Sequence, residues 1–271
     1  MGKNVDLECI CKNRNCTMKI KNILVSQNSP VEFEKSPYFE LTKKYSVNID
    51  FYKFFQIEGI SGIDFRKSKI NILEHTAIVF SSKNTVDYFF KLMKDLRVEI
   101  PETTKYICAT DVVAHYLQVY VPYRKRKVLF GKNNNPNGIY DLFLKNKEHK
   151  ILLPCGADAI SSQYVAYFEK HRIQYTQAVI FRAVPENLKE NIDINKYDMI
   201  VFFSPNGVQA LKSNFPDFEQ KDVVFGALGQ NTAAAVKAEG WELQVMAPTK
   251  ETPSITTAMS LFLKDHATRK R

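Results

Sequence analysis

Short apolar runs and amphipathic stretches alternate along this chain. "KNILVSQ" (21–27) reads as a buried strand, and a helical stretch follows over about 31–45. Residues 49–57, "IDFYKFFQI", set Ile49, Phe51, Phe55 and Ile57 on one face of an extended strand. "DFRKSKINIL" reads as helix. "TAIVF" (76–80) is a short strand running into polar "SSKN". Val86, Phe89, Phe90 and Met93 then recur at the spacing of one helix face. "KYICA" (105–109) opens another strand–helix unit, its helix reaching about Tyr120. "KVLFG" (127–131) is a strand before the turn-rich "NNNPNG". "KILLPC" (150–155) precedes a helix through about Lys170, and "YTQAVIFRAV" (175–184) is extended. "DMIVFF" (198–203), "DVVFGAL" (222–228) and "WELQVMA" (241–247) are three more strands, each followed by a helix. The last helix carries Ile255, Met259 and Phe262 on one face.

Strands alternating with helices at this rhythm predict α/β architecture with parallel sheets. One eight-residue frame occurs twice. "VFSSKNTV" (79–86) and "VFFSPNGV" (201–208) share V-F-x-S-x-N-x-V, 122 residues apart, at a strand end, polar turn and helix start. "ICATDVVAHYL" (107–117) matches "ALGQNTAAAV" (227–236) more loosely, at an offset of 120. Two pairs in one order predict two similar domains, each a parallel β-sheet flanked by helices. The strand at 21–27 needs a sheet, and its nearest complete set of partners is C-terminal. The predicted organisation is therefore a discontinuous domain of 18–47 plus 186–271, and an inserted domain of 60–173. Extended segments 48–59 and 174–185 are the linkers, paired as a two-stranded antiparallel β ladder. Residues 1–17 read as an upstream extension, since "MKIKNILVSQ" begins afresh at Met18.

Composition narrows the class. Apolar residues make up 45% of the 271 and aromatics 12%, enough for packed cores. No apolar run approaches the roughly 18–20 residues of a membrane span, and the N-terminal stretch has no signal-like apolar core. A cytoplasmic monomer is expected. Cys9, Cys11 and Cys16 crowd "CICKNRNC" with no matching Cys/His pair, so no metal is expected. Cys108 and Cys155 fall in strand-like runs and read as buried thiols. A net charge of +9 attracts anions. The densest cluster, "YRKRK" (123–127), lacks the stacking aromatics of a known nucleic-acid module and reads as a solvated face.

In open parallel sheets ligands bind beyond the carboxyl ends of the strands. Both frames place their polar residues there: Ser81, Ser82 and Asn84 in one, Ser204, Asn206 and Gly207 in the other. "GQNT" adds Gly229, Asn231 and Thr232 at a third helix start. Unpaired N–H groups and the helix dipole favour an anion at such a point. Ordinary helix capping explains the same residues equally well. No phosphate-binding glycine loop and no nucleophile–base set appears. The residues alone thus predict a cleft of helix N-termini that takes an anionic ligand without metal or nucleotide.

"DMIVFFSPNGVQALKSNFP" (198–216), "ALGQNTAAAVKAEGW" (227–241) and "APTKETPSITTAM" (247–259) together resemble the C-terminal half of uroporphyrinogen-III synthases. "IVFSSKNTVDYFF" extends the resemblance to the middle, and "YLQVYVPYRKRKVLFG" is similar to the Bacteroidetes branch. It runs from about Met18 to Phe262. It implies two α/β domains joined by a two-stranded ladder. It also implies cyclisation of hydroxymethylbilane to uroporphyrinogen III, with inversion of ring D and loss of water, in heme biosynthesis, and without cofactor. The partner implied is that polycarboxylate, with no nucleic acid and no membrane. Matched by motif, Ser204, Asn206 and Gly207 fall on the family's S-P-x-G turn, and Thr232 on its G-x-x-T threonine. Ser81, Ser82 and Asn84 fall on the middle-domain turn. Thr232 and Phe181, which stands at the family's ladder tyrosine, are the implied catalytic positions. The middle-domain threonine falls near Val112, and two family arginines fall at Gln27 and Cys155. A weakened tetrapyrrole-binding relative and a basic nucleic-acid-associated protein stay open as alternatives.

Overall fold

A computed structural model describes residues 20–131, 138–159 and 163–268. The stretch 1–17 with its three cysteines, the "NNNPNG" turn and the basic "ATRKR" tail lie wholly or partly outside them. The strands are β1 (Asn22–Val25), β2 (Asn48–Phe51), β3 (Phe55–Gly59), β4 (Ala77–Phe80), β5 (Lys105–Cys108), β6 (Val128–Phe130), β7 (Ile151–Gly156), β8 (Tyr175–Pro185), β9 (Met199–Phe202), β10 (Val224–Leu228) and β11 (Val245–Ala247). The α-helices are α1 (Pro37–Tyr45), α2 (Gly62–Lys67), α3 (Lys83–Leu96), α4 (Asp111–Tyr116), α5 (Gly138–Lys145), α6 (Gln163–His171), α7 (Leu188–Asn191), α8 (Pro205–Asn214), α9 (Gln230–Ala238) and α10 (Ile255–Thr268). The chain divides into two compact units. Unit 1 comprises residues up to Gln56 with Pro185 onward, and unit 2 comprises Ile57–Val184.

Unit 1 holds a parallel sheet in the order β11-β10-β9-β1-β2. A strand covered on both faces reads as an unbroken apolar run, and Ile23–Val25 and Met199–Phe202 are fully buried. Alternation sends their side chains to opposite layers. Ile23 and Val25 pack with Tyr38, Leu41 and Met259 under α1 and α10. Leu24 and Phe202 pack with Val208, Phe225 and Trp241 under α8 and α9.

The second sheet runs β3-β8-β7-β4-β5-β6, with β4 to β8 all parallel to one another. On its far edge the Ile60 N–H donates to the Ile180 carbonyl and the Glu186 N–H to the Phe54 carbonyl. Six residues forward on one strand match six back on the other, which makes β3 and β8 antiparallel. The expected ladder is thus the edge of a larger sheet, because β8 pairs with β7 along its other side. Residues 49–57 also depart from expectation. They form two strands, not one. Asn48–Phe51 pairs with β1, Phe54 is fully buried in the unit 1 core, and β3 begins only at Phe55. "WELQVMA" is strand only over Val245–Ala247, since Trp241 is drawn into the core. The helix expected from about 31 starts at Pro37, and Val31 is fully exposed.

With β3 set aside, the two sheets share one order. The sequence β8-β7-β4-β5-β6 in unit 2 overlays β2-β1-β9-β10-β11 in unit 1, so one unit is a circular permutation of the other. Registers agree: Ala77 faces Ile151 as Met199 faces Ile23. The same offset holds before the strands. Asn71 and Asp193 each accept an N–H two residues on, opening matching 3-10 turns.

Candidate functional site

Each sheet reverses its winding once, between β4 and β7 in unit 2 and between β9 and β1 in unit 1. The loops leaving two such strands diverge to opposite faces, which opens a crevice at the carboxyl ends. Both copies of the repeated frame lie there.

In unit 2, Ser82 caps α3. Its Oγ accepts the Thr85 N–H at 3.2 Å, while Thr85 Oγ1 accepts the Ser82 N–H at 3.0 Å and donates to the Ser82 carbonyl at 2.6 Å. This reciprocal box fixes the turn. Ser81, Ser82 and Thr85 line a cavity of about 120 Å³, closed by the end of β7, Asp158, Tyr164 and Phe181. Gly156 makes room for it. A Cβ there would stand 2.5 Å from Phe181 Cε2 and 2.7 Å from Asp158 Oδ1. Phe181 lies against Tyr88, ring centroids 5.2 Å apart. Burial, then the Asp158 charge, pushes the Cys155 thiol up to about 11, so it stays protonated and inert. Asn84 points to solvent on the first turn of α3 and does not line the cavity.

In unit 1, Ser204 caps α8, its Oγ accepting the Gly207 N–H at 3.3 Å. Ser26, buried at the end of β1, accepts the Phe203 N–H at 3.1 Å. A Cβ on Gly207 would sit 3.3 Å from Ser26 Oγ, so glycine lets the two strand ends close up. Asn206 is half-buried beside it. The start of α9 differs. Its N-cap is Gly229, at φ +84°, a conformation that favours glycine, and no side chain caps the helix. Thr232, two residues into that helix, is 2% exposed, and no side-chain hydrogen bond joins its hydroxyl to another described residue. Asn231 is exposed. An uncapped helix start leaves backbone N–H groups unpaired, and such a point favours an anion.

The structure therefore brings Ser81, Ser82 and Phe181 together in unit 2. It gathers Ser204, Asn206 and Gly207 around Ser26 in unit 1, with Gly229, Asn231 and Thr232 at the next strand end. Sequence reasoning missed Ser26, Thr85, Gly156, Asp158 and Tyr164. Thr85 was legible as the third residue after a serine cap. The others join the site through strand register alone. One equivalence shifts by a residue: the caps Thr110 and Gly229 lie 119 apart, so Val113, not Val112, matches Thr232. Gln27 and Cys155 occupy equivalent places, each four residues beyond the facing pair Ile23 and Ile151. Gln27 donates to the Tyr38 hydroxyl at 3.3 Å.

A family model described as uroporphyrinogen-III synthase HemD matches residues 46–257. Among solved structures, a uroporphyrinogen-III synthetase from Helicobacter pylori is 16% identical, with a TM-score of 0.52 over 90% of this chain and 99% of that one. A mutant uroporphyrinogen III synthase from the extreme thermophile Thermus thermophilus is 13% identical, with a TM-score of 0.51 over 92% of this chain and 100% of that one. At those identities the likeness establishes the fold. A search of curated proteins found no match.

Proposed function

The chain belongs to the uroporphyrinogen-III synthase family, and from that premise we propose how its residues carry the family's reaction, the closure of hydroxymethylbilane to uroporphyrinogen III with loss of water. The observation that supports the reading is the cavity at the β4/β7 crossover. It has room for several waters or one ring's hydroxymethyl end, not for a four-ring chain. Apolar walls from Leu153, Pro154 and Phe181 favour an uncharged ring, and Ser81 and Ser82 keep O–H groups at its rim. Phe181 acts by packing, since it has no polar atom to offer.

The substrate's carboxylates go to the helix starts. Ser204, Asn206 and Gly207 open α8, and Gly229, Asn231 and Thr232 open α9. A capping serine still has its own hydrogen to donate after its oxygen has accepted. Asn84, exposed on the first turn of α3, takes a carboxylate of the same kind in this reading. Thr232 is the strongest candidate, because no side-chain hydrogen bond to another described residue engages its hydroxyl. Spontaneous closure gives the uninverted isomer, so the protein acts by holding the chain in the geometry that leads to isomer III.

No helix among the described residues is long and apolar enough to cross a membrane. We read the chain as a cytoplasmic monomer, and light scattering on the eluting protein tests the second half of that reading. The function itself is tested by generating hydroxymethylbilane, adding the protein, oxidising and separating the isomers. Isomer III above the spontaneous background is the expected result. Isomer I alone from folded protein rejects the assignment.

A further inference from the structure

One phenol in the unit 2 cavity has a hydroxyl that no hydrogen bond engages among the described residues. Tyr164, on the first turn of α6, lines the same cavity as Phe181. Its ring is held by aromatic packing, 5.4 Å from Phe143 and 6.0 Å from Tyr140 between centroids. The phenols beside it are engaged: Tyr140 donates to Gln163 and Tyr167 to the Tyr140 carbonyl. No hydrogen bond joins the Tyr164 hydroxyl to another described residue. The cavity's other polar groups suit proton donation less well. Thr85 gives its hydrogen to the Ser82 carbonyl, and Ser81 is an exposed aliphatic alcohol, far less acidic than a phenol. Asp158, when ionised, only accepts.

Loss of water from a hydroxymethyl group needs a proton for the departing oxygen. We propose that Tyr164 is a further catalytic residue, which donates its phenolic proton to the leaving hydroxyl of hydroxymethylbilane. The carbon–oxygen bond breaks with its electron pair on oxygen. The oxygen takes the Tyr164 proton and leaves as water. Once the ring has closed, the proton shed by the attacking pyrrole carbon restores the phenol. The inference rests on placing the reaction in this cavity. Burial, with a smaller contribution from Tyr140, raises the phenol above its ordinary value, so it is protonated at neutral pH but is a reluctant acid. The pyrrole already expels the hydroxyl, so the gain lies near tenfold, below the hundredfold and more of a well-matched general acid.

Tyr164→Phe removes the hydroxyl and keeps the packing. The expected result is a fall of about tenfold in kcat for isomer III, with KM and melting temperature unchanged. Adding Phe181→Tyr to that variant returns a hydroxyl to the same cavity and restores at least half of the loss. A Tyr164→Phe protein that turns over at the native rate overturns the proposal while leaving the family activity intact. Should that variant fold poorly, 3-fluorotyrosine at 164 changes acidity at nearly constant volume. An unchanged rate there overturns the proposal equally. Isomer I alone from the native protein overturns the placement of the reaction, and this inference with it.

Discussion

The two units carry one frame and finish it differently. In unit 2, β7 and β8 run for six and eleven residues, and the added length walls a cavity with Gly156 and Phe181. In unit 1, β1 and β2 stop after four residues each. The helix starts differ in the opposite sense. Thr110 caps α4 by accepting the Val113 N–H, whereas Gly229 leaves α9 without a side-chain cap, with Thr232 on its first turn. In the proposed reading, the crossover of unit 2 offers an apolar receptor and the strand end beside the crossover of unit 1 a polar one. The polar copy is not strong alone. An exposed helix start contributes about 0.3–1 kcal/mol toward an anion, rising to about 2 when partly buried. In the proposed reading Thr232 adds a donor to it.

The sharpest break of that comparison is at the glycines. In unit 2, Gly156→Ala drives a methyl into the Phe181 ring and the Asp158 carboxylate. Overpacking of this kind costs about 1–3 kcal/mol. The cavity closes as well, so isomer III formation should fall to the spontaneous background. Gly207→Ala in unit 1 meets only the Ser26 hydroxyl at 3.3 Å, and alanine's better helix propensity, worth up to about 1 kcal/mol, offsets the contact. Thermal melts with the isomer assay should therefore rank Gly156→Ala well below Gly207→Ala. Equal damage at both would mean that the unit 2 cavity has no special part.

Thr232 and Val113 offer an exchange at equivalent places. Thr232→Val keeps the shape and removes an unengaged hydroxyl, so stability should hold within about 0.5 kcal/mol. A hydrogen bond to a charged group is worth about 1.5–3 kcal/mol, or roughly tenfold to somewhat over a hundredfold in kcat/KM. The loss should appear in the assay at an unchanged melting temperature. Val113→Thr should leave turnover alone. If Thr232→Val melts early but turns over normally per folded molecule, the hydroxyl is structural and the polar receptor lies elsewhere.

The cap on α4 should show the converse. Thr110→Val removes a side-chain acceptor from a six-residue helix and should cost about 0.5–2 kcal/mol in denaturant. Activity per folded molecule should stay within twofold, because Thr110 serves its own helix.

Both candidate sites were partly legible in the sequence. Polar residues after an apolar run are visible without coordinates, so Ser82, Ser204 and Thr232 could be found at strand ends. The discontinuous order was legible too, because a strand at 21–27 had no nearby partners. What failed was everything set by register. Gly156 and Phe181 meet only because β7 and β8 shift by one residue between Cys155 and Gly156. Tyr164 reaches the cavity from a helix whose sequence reads as ordinary amphipathic surface. The segment 49–57 kept its period of two on paper, yet Phe54 draws the chain out of extension because the unit 1 core takes its ring. Periodicity records which side chains want burial, not which sheet will bury them.

The smallest expected effect lies below the sheets, where His75 and Tyr197 occupy equivalent places. His75 is buried, its Nδ1 facing the Asn71 and Ile72 carbonyls at 3.0 and 3.3 Å, so that nitrogen carries the proton. Its Nε2 is buried without a partner among the described residues. Burial is the main cause that lowers its pKa, and Lys150 adds to it while Glu74 opposes. Tyr197 instead donates to Asp50 at 2.9 Å. Burial works against the charge on Asp50, but hydrogen bonds from Lys196 and Tyr197 outweigh it and hold the carboxyl below the ordinary aspartate value. The signs then separate the units. A histidine whose folded pKa is depressed contributes stability that is complete above its unfolded value of about 6.5 and is lost as pH falls through the folded value. The Asp50 contribution persists to lower pH, since aspartate titrates near 3.9 when unfolded. Acidification from pH 7 toward 5 should therefore weaken unit 2 before unit 1. Hydrogen exchange resolved by peptide should show faster opening around β4 and the 3-10 turn before it, with β9 unchanged. In His75→Gln the pH dependence around β4 should vanish, whatever the variant's stability at pH 7. If β4 and β9 loosen together over that window, the orphan nitrogen of His75 does not set the acid limit of its unit.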